Sequence, residues 1–282
     1  MVKEFVLREY NRYIFRYSKE IKMENILVKE YYDWFSSYVK NFYGEDSLIN
    51  QNIELKEIHT LKVAEHAVNI AKSLNLTQKE VDTAEIIGLF HDIGRFEQFK
   101  KYKTFRDAFS ENHATLGVKI LEQNETLKNL DDSRRKIIIK AVNLHNAKDL
   151  PMDLNKEESL FCKLIRDADK LDIFRIIMGY ERERKNHPNP ALDNLPFTSG
   201  YNSELIKDIR SNKKISNNSL KNYNDRKIYE LSWIIDLNFS FSLNYIKERE
   251  VLKTLISCLP KNEEIDDLER YLDKYIENSI AN

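Results

Sequence analysis

The sequence predicts an all-α protein built as a helical bundle. Glycine and proline number only six and five among 282 residues, so the turn signals that punctuate β-sheets are few. Apolar residues recur instead at helical spacing over long stretches. We therefore expect a single α-helical domain over residues 1–282, with extra helices on the N- and C-terminal sides of its core.

The first two predicted helices are recognised by their apolar stripes. The first covers about 24–42 and has a broad apolar face that includes Trp34 and Phe35. The second covers about 54–75 and places His59 on the same stripe as several aliphatic residues. His66 shares this face, and we interpret it as a structural histidine.

A third helix begins at Thr77, because Glu80 follows it by three residues as in a capping box. It runs to about His91-Asp92, where Gly94 is the expected terminator. The residues of about 186–225 contain three of the five prolines and form a polar, loop-rich insertion with one short helix over 202–210. The other predicted helices cover about 112–123, 132–147, 157–178, 226–246 and 262–279.

Composition excludes several classes of protein. The net charge of −1 gives no global attraction to nucleic acid, so we expect no nucleic-acid partner. The two cysteines, Cys162 and Cys258, suggest no disulfide framework. No segment approaches the roughly 20 apolar residues of a membrane span, and the first residues lack the apolar run of a signal peptide. We expect a cytoplasmic protein that does not enter membranes, and we leave open whether it forms a homo-oligomer.

The most informative residues are the adjacent His91 and Asp92, which end an apolar helix. Buried charge is tolerated where it is paired or coordinates a metal. His59, His113 and His145 occur in similar apolar settings on other predicted helices. A single histidine of this kind is usually structural, but the set together indicates a distributed metal site.

Carboxylates are also concentrated in the run Arg166–Asp172, which lies in an otherwise apolar helix. Asp169 competes there with Asp167 and Asp172 for the role of metal ligand. Asp172 could support a ligand from the same face, whereas we expect Asp167 to point elsewhere, as a solvated or paired charge.

The order His59, His91-Asp92, Asp169 resembles the HD-domain superfamily of metal-dependent phosphohydrolases, whose motif is H…HD…D on a helical bundle. The segments HTLKV, GLFHDIGR and RDADKLD carry the resemblance, which covers about 55–180. It implies an HD-domain-like bundle in which Asp169 is the last ligand of the motif. The C-terminal helices over about 226–282 resemble nothing that we can name.

His113 and His145 extend the resemblance to members that hold two metals. By this resemblance, His59, His91 and Asp169 would hold one metal, His113 and His145 the other, and Asp92 would bridge them. Cyclic-di-nucleotide phosphodiesterases of the HD-GYP type share this layout, but their His-His-Glu and Gly-Tyr-Pro signature is missing: Asn146-Ala147-Lys148 follows His145. The ligands suit two divalent ions of Fe, Mn, Co, Ni, Zn or Mg.

Phosphate recognition also needs cations. Arg95, three residues after Asp92, is the main candidate for substrate contact and catalysis because its planar fork suits phosphate oxygens. Arg106 and Lys170 are further candidates for substrate binding, although each could equally be a solvated surface charge.

The predicted function is hydrolysis of a small phosphate ester, with a nucleotide as the expected substrate, by attack of metal-bound hydroxide at phosphorus. Two alternatives remain open. Some HD-domain proteins with the same ligands are di-iron oxygenases, and others are non-catalytic sensors. We interpret the 186–225 insertion as a lid, or equally as a surface excursion.

Overall fold

The protein is described by a computed structural model over residues 26–183 and 195–281. Every regular element in these ranges is a helix, which confirms the all-α fold class. The chain divides into two compact units, Met1–Asp169 and Lys170–Asn282. The organisation of residues 1–282 as one domain stays a prediction. Within the described ranges, the helices are too short or too polar to cross a membrane.

Over its described residues, 26–169, the first unit contains six helices and the first half of a seventh, which continues into the second unit. Six of the seven were predicted, and the exception is α4. Their bounds are Ile26–Lys40 (α1), Ser47–Ser73 (α2), Gln78–Phe90 (α3), Gly94–Tyr102 (α4), His113–Gln123 (α5), Asp132–Leu144 (α6) and Lys156–Glu183 (α7).

Helix α2 begins seven residues before the predicted start. The side chain of Asp46 caps it by accepting hydrogen bonds from the backbone N–H groups of Leu48 and Ile49, at 2.8 and 3.2 Å. The first turns carry no clear apolar stripe, since Leu48 is 66% exposed. The extra turns extend α2 on the N-terminal side of His59.

The capping box of α3 is confirmed, because Thr77 and Glu80 make both of its reciprocal hydrogen bonds. The prediction that Gly94 terminates this helix is wrong: α3 ends at Phe90, and Gly94 is the first residue of α4. A Cβ atom at position 94 would lie 2.2 Å from the carbonyl oxygen of His113. Glycine is therefore needed because α4 approaches the start of α5 backbone to backbone.

Close packing also holds the turn that contains His91 and Asp92. Helices α2 and α3 cross at Gly88, where a Cβ atom would lie 2.6 Å from the Cα of Ala64. Phe90 and Phe96 on either side of the turn are fully buried and make aromatic contacts with residues of α1 and the segment that follows it. The turn is thus fixed by a glycine crossing and by buried rings.

Over its described residues, 170–183 and 195–281, the second unit contains the second half of α7 and five further α-helices. The predicted short helix over 202–210 is confirmed as α8. The predicted continuous helix over 226–246 is wrong, because a 3₁₀ turn at Trp233–Asp236 separates two helices there. The helices are Ser203–Arg210 (α8), Tyr223–Ser232 (α9), Ser240–Glu248 (α10), Val251–Ile256 (α11) and Glu263–Ala281 (α12).

Residues 186–194 of the predicted insertion lie outside the described residues. The described part of the insertion is hydrogen-bonded to α9. The side-chain amide of Asn224 donates to the carbonyl oxygens of Thr198 and Gly200, at 2.9 and 3.0 Å. Asn224 is itself buried. A role of the insertion as a lid stays a prediction.

Candidate metal centre

One group of potential metal ligands joins three separate elements of the first unit. His59 lies in the middle of α2, His91 directly follows α3, and Asp169 lies in α7. One ligand atom from each of the three lies within 4.8 Å of the others. The Nε2 atom of His59 is 3.1 Å from Oδ1 of Asp169, and that of His91 is 3.8 Å from the same oxygen.

A second group combines Asp92 with His113, the first residue of α5, and His145, which directly follows α6. The Nε2 atoms of the two histidines are 2.9 Å apart. They lie 3.3 and 3.7 Å, respectively, from Oδ1 of Asp92. All three side chains are at most 5% exposed.

Asp92 lies between the two groups and faces each with a different oxygen. Its Oδ1 atom is close to His113 and His145, as described above. Its Oδ2 atom is 3.7 Å from Nε2 of His59 and 3.8 Å from Nε2 of His91. The structure therefore brings together all six predicted ligands, with Asp92 in a position to contribute to both groups.

Two of the histidines are oriented by the helix ends that they terminate. The last carbonyl groups of a helix have no partner within it. Nδ1 of His91 is 2.8 Å from the carbonyl oxygen of Gly88, and Nδ1 of His145 is 2.7 Å from that of Val142. Because a carbonyl oxygen only accepts, each Nδ1 carries the proton, and each Nε2 presents a lone pair to the centre.

His113 is oriented by a carboxylate that the sequence reasoning did not assign. Its Nδ1 atom lies 2.7 Å from Oδ2 and 2.9 Å from Oδ1 of Asp107. Asp107 also accepts hydrogen bonds from Arg95, Gln98 and Asn146. A histidine that donates to a carboxylate through one nitrogen presents the other to a metal, as is common in metalloproteins.

These hydrogen bonds test whether the residues fit a metal ion. With both Nδ1 atoms protonated, the Nε2 atoms of His113 and His145 face each other as two acceptors at 2.9 Å, next to a third acceptor on Asp92. The buried Nε2 atom of His91 makes no hydrogen bond to any residue that the structure describes. Converging, buried acceptors without a proton between them fit a cation.

Comparison with known families agrees with this geometry. Residues 57–173 match the model of the HD domain, and this range includes all six ligands. The chain contains an HD domain. The predicted resemblance over about 55–180 is thus confirmed, and HD domains are a family of metal-dependent phosphohydrolases. Searches of curated proteins and of solved structures found no match.

Burial and charge together determine protonation in the HD domain. Burial lowers the pKa of His91 to about 3, so the imidazole is neutral near pH 7, as a metal ligand must be. Burial alone would raise the pKa of Asp92, but the cations Lys56 and Arg95 outweigh it and hold the pKa well below its usual range. The carboxylate of Asp92 is therefore ionised.

Lys56 is the second residue that the sequence reasoning missed. Its Nζ atom lies 2.8 Å from Oδ2 of Asp92, on the side of the carboxylate that faces His59. Lys56 precedes His59 by three residues on α2, so both lie on one face of the helix. That spacing was visible in the sequence, but a lysine in an amphipathic helix ordinarily indicates a solvated face.

Arg95 lies at the centre, as predicted, but its guanidinium group has partners within the protein. Nε is 3.4 Å from Oδ1 of Asp92. One terminal nitrogen donates to Asp107 and Gln98, at 2.9 Å each, and to the carbonyl oxygen of Phe105. The arginine thus connects the carboxylate of Asp92 to the carboxylate that orients His113, and its contact with substrate stays a prediction.

The other predicted substrate contacts lie in different surroundings. Arg106 is exposed, and its guanidinium carbon lies 4.5 Å from the centroid of the Phe109 ring. Lys170 belongs to the second unit, where its Nζ atom is 2.6 Å from Oδ2 of Asp236. Substrate binding by either residue stays a prediction.

Three residues considered with the ligands belong to neither group. Asp167 and Asp172 are fully buried. Of the two alternatives for Asp167, a solvated or a paired charge, the solvated one is therefore wrong. Asp172 pairs with Arg175, whose Nε atom is 2.6 Å from Oδ1. His66 is buried on α2, and neither ligand group includes it.

Proposed function

We propose that this protein is a two-metal phosphohydrolase that acts on a small phosphate ester, with a nucleotide as the expected substrate. The observation that carries the proposal is the placement of Asp92, whose two carboxylate oxygens face two separate groups of imidazole and carboxylate ligands. A carboxylate in this position is suited to hold two metal ions close together, as hydrolysis at phosphorus by two metals requires.

His59, His91 and Asp169 would hold one ion, His113 and His145 the other, and Asp92 both. When bound, a pair of divalent ions activates water and neutralises the charge that develops on phosphate oxygens. The helix-end carbonyls of Gly88 and Val142 keep the Nε2 atoms of His91 and His145 directed inward.

The surroundings of the centre support a phosphorylated substrate with an aromatic base. Arg95 adds a fixed positive charge beside Asp92, which favours an anionic ligand. Phe109 is 66% exposed and lies in the short turn that begins with Asp107, the residue that contacts His113. An exposed ring under the guanidinium of Arg106 is suited to stack a base. A nucleotide fits both features.

The test combines metal content with phosphate release. Protein stripped by a chelator is reloaded with Mn²⁺, Fe²⁺, Zn²⁺ or Mg²⁺, analysed for metal, and assayed against nucleotides and sugar phosphates. We expect two metals per chain and phosphate release that is abolished in Asp92→Ala. His59→Gln should lose metal, whereas its matched control His66→Gln, on the same helix, should retain both ions.

Several results would contradict the proposal. Full activity of a folded Asp92→Ala protein would exclude Asp92 from the chemistry. One metal per chain would remove His113 and His145 from the ligand set. Consumption of dioxygen without phosphate release would favour the oxygenase alternative. The cytoplasmic location, suggested by two cysteines that form no disulfide, and assembly into a homo-oligomer are further proposals.

A further inference from the structure

The contact between Lys56 and Asp92 has no role in the ligand set described above. The Nζ atom of Lys56 lies 2.8 Å from Oδ2 of Asp92, and the side chain extends over the ring of Phe105, 5.5 Å from its centroid. The lysine side chain is 19% exposed, whereas that of Asp92 is 5% exposed. Lys56 thus reaches from the edge of the centre to the buried carboxylate.

The oxygen that accepts from Lys56 is the one that faces His59 and His91. A metal ion held by that group would need the same oxygen. An ammonium group and a divalent ion therefore compete for Oδ2, and each repels the other. Binding of the metal must weaken or break the contact between Lys56 and Asp92.

A lysine released in this way would remain beside the centre, because its backbone is fixed in α2 one turn before His59. Its flexible stem carries three donors. The net charge of the site then favours an anion. Lys56 and Arg95 carry two positive charges and the three carboxylates of Asp92, Asp107 and Asp169 carry three negative charges, which leaves one negative charge. Two divalent ions add four positive charges. The surplus of three positive charges favours a phosphate dianion over a monoanion.

We propose that Lys56 is a phosphate-binding residue, which Asp92 holds in the metal-free protein and which metal binding releases to the substrate. The proposal rests on the proposed two-metal function and deepens it, since it assigns the substrate a terminal phosphate group. It predicts two effects of opposite sign: without Lys56, the protein binds metal more tightly and phosphate more weakly. A residue that only supports the fold would weaken both.

Lys62 offers a matched control on the same helix. Its side chain is also 19% exposed, and its Nζ atom pairs with Glu65 at 3.0 Å. Lys56→Met and Lys62→Met therefore remove the same group from positions of equal exposure. The first removes the cation beside Asp92, and the second removes a cation that pairs with Glu65.

The experiment uses full-length, metal-stripped protein. Titration with Mn²⁺ should show that Lys56→Met binds the metal about threefold to tenfold more tightly than wild type, as expected for loss of a competing ion pair. Inorganic phosphate should then bind the Mn²⁺-loaded variant about tenfold to a hundredfold more weakly, since a hydrogen bond to a charged group is lost. Lys62→Met should match wild type in both titrations.

The proposal is overturned if phosphate affinity is unchanged in Lys56→Met, or if its metal affinity falls. Should that variant not fold, Lys56→Gln takes its place, and Lys56→Arg should recover phosphate binding because it keeps the charge. Tighter binding of dimethyl phosphate than of inorganic phosphate would contradict the assignment of a terminal phosphate group to the substrate. If the wild type releases phosphate from nucleotides but Lys56→Met binds inorganic phosphate as tightly as the wild type, only the role of Lys56 is refuted. A loaded wild type that neither binds nor releases phosphate refutes the proposed function as well.

Discussion

Replacing Asp107 by asparagine tests whether the orientation of His113 makes the second metal site. Oδ1 of Asp107 accepts from Arg95 and Gln98, at 2.9 and 2.8 Å, and Oδ2 accepts from Asn146 at 3.2 Å. Nδ1 of His113 lies 2.9 Å from Oδ1 and 2.7 Å from Oδ2. Asparagine would keep its oxygen toward the two donors on the Oδ1 side. Its NH₂ group would then face His113.

An NH₂ group in that place can only donate, so the shorter contact of Nδ1, at 2.7 Å, would be kept only with Nδ1 of His113 as the acceptor. The imidazole proton would move to Nε2, the atom that lies 3.3 Å from Asp92 and is needed for metal. In the opposite orientation of the asparagine amide, its NH₂ group would face the donor groups of Arg95 and Gln98, and neither would have an acceptor there. Loss of a partner that orients a ligand typically costs tenfold to a hundredfold in metal affinity, which corresponds to about 1.4–2.7 kcal/mol.

The assay is a metal titration of Asp107→Asn, with elemental analysis after dialysis. We expect one metal per chain to be retained and the second to be bound at least about tenfold more weakly, with a parallel loss of phosphate release. Nitrogen NMR of the His113 imidazole should show the proton on Nε2. Asp82→Asn, which changes a buried carboxylate that accepts from Gln78, is the control. Unchanged stoichiometry and affinity in Asp107→Asn would refute the tautomer argument.

Two further predictions concern stability. Gly94→Ala should destabilise the protein by about 3 kcal/mol, since its Cβ would lie 2.2 Å from a backbone oxygen. Gly179→Ala should be tolerated, because no neighbouring atom of the described residues lies within 4 Å of a Cβ at that position. Equal melting temperatures of the two variants would contradict the backbone contact at Gly94. In metal-free protein the free energy of unfolding should fall as the pH drops from 6.5 toward 3, because burial lowers the pKa of His91 to about 3 and the unfolded chain takes up the proton first. Urea titrations at several pH values measure this fall, and His91→Gln should reduce it.

Much of the first unit could be predicted because its signals are local. A capping box at Thr77 and an apolar stripe around His59 are properties of neighbouring residues, and both predicted the helices that carry them. Gly94 was misjudged because its role is not local. A glycine after a helix usually ends it, but here the residue faces the backbone of α5, which begins nineteen positions later.

The grouping of the six candidate ligands could be predicted from residue type and order, because histidine and aspartate are costly to bury without a purpose. Lys56 and Asp107 could not, since each looks like an ordinary surface charge in the sequence. Their roles come from contacts 36 and 6 residues away, with Asp92 and His113. Residues that adjust a ligand are thus harder to recognise than the ligands themselves, because only the tertiary structure identifies their partners.

The charges around Asp92 imply that the centre is formed before a metal binds. A carboxylate this deeply buried would favour its protonated form, yet Lys56 at 2.8 Å and Arg95 at 3.4 Å hold the pKa well below its usual range. The histidines beside it are directed by carbonyl oxygens and Asp107, which no metal supplies. We therefore expect a chelator to remove activity while the helical circular dichroism is retained. Unfolding on chelation, as in small domains whose metal supplies the folding energy, would show that the cations and hydrogen bonds around Asp92 are too weak to organise the site.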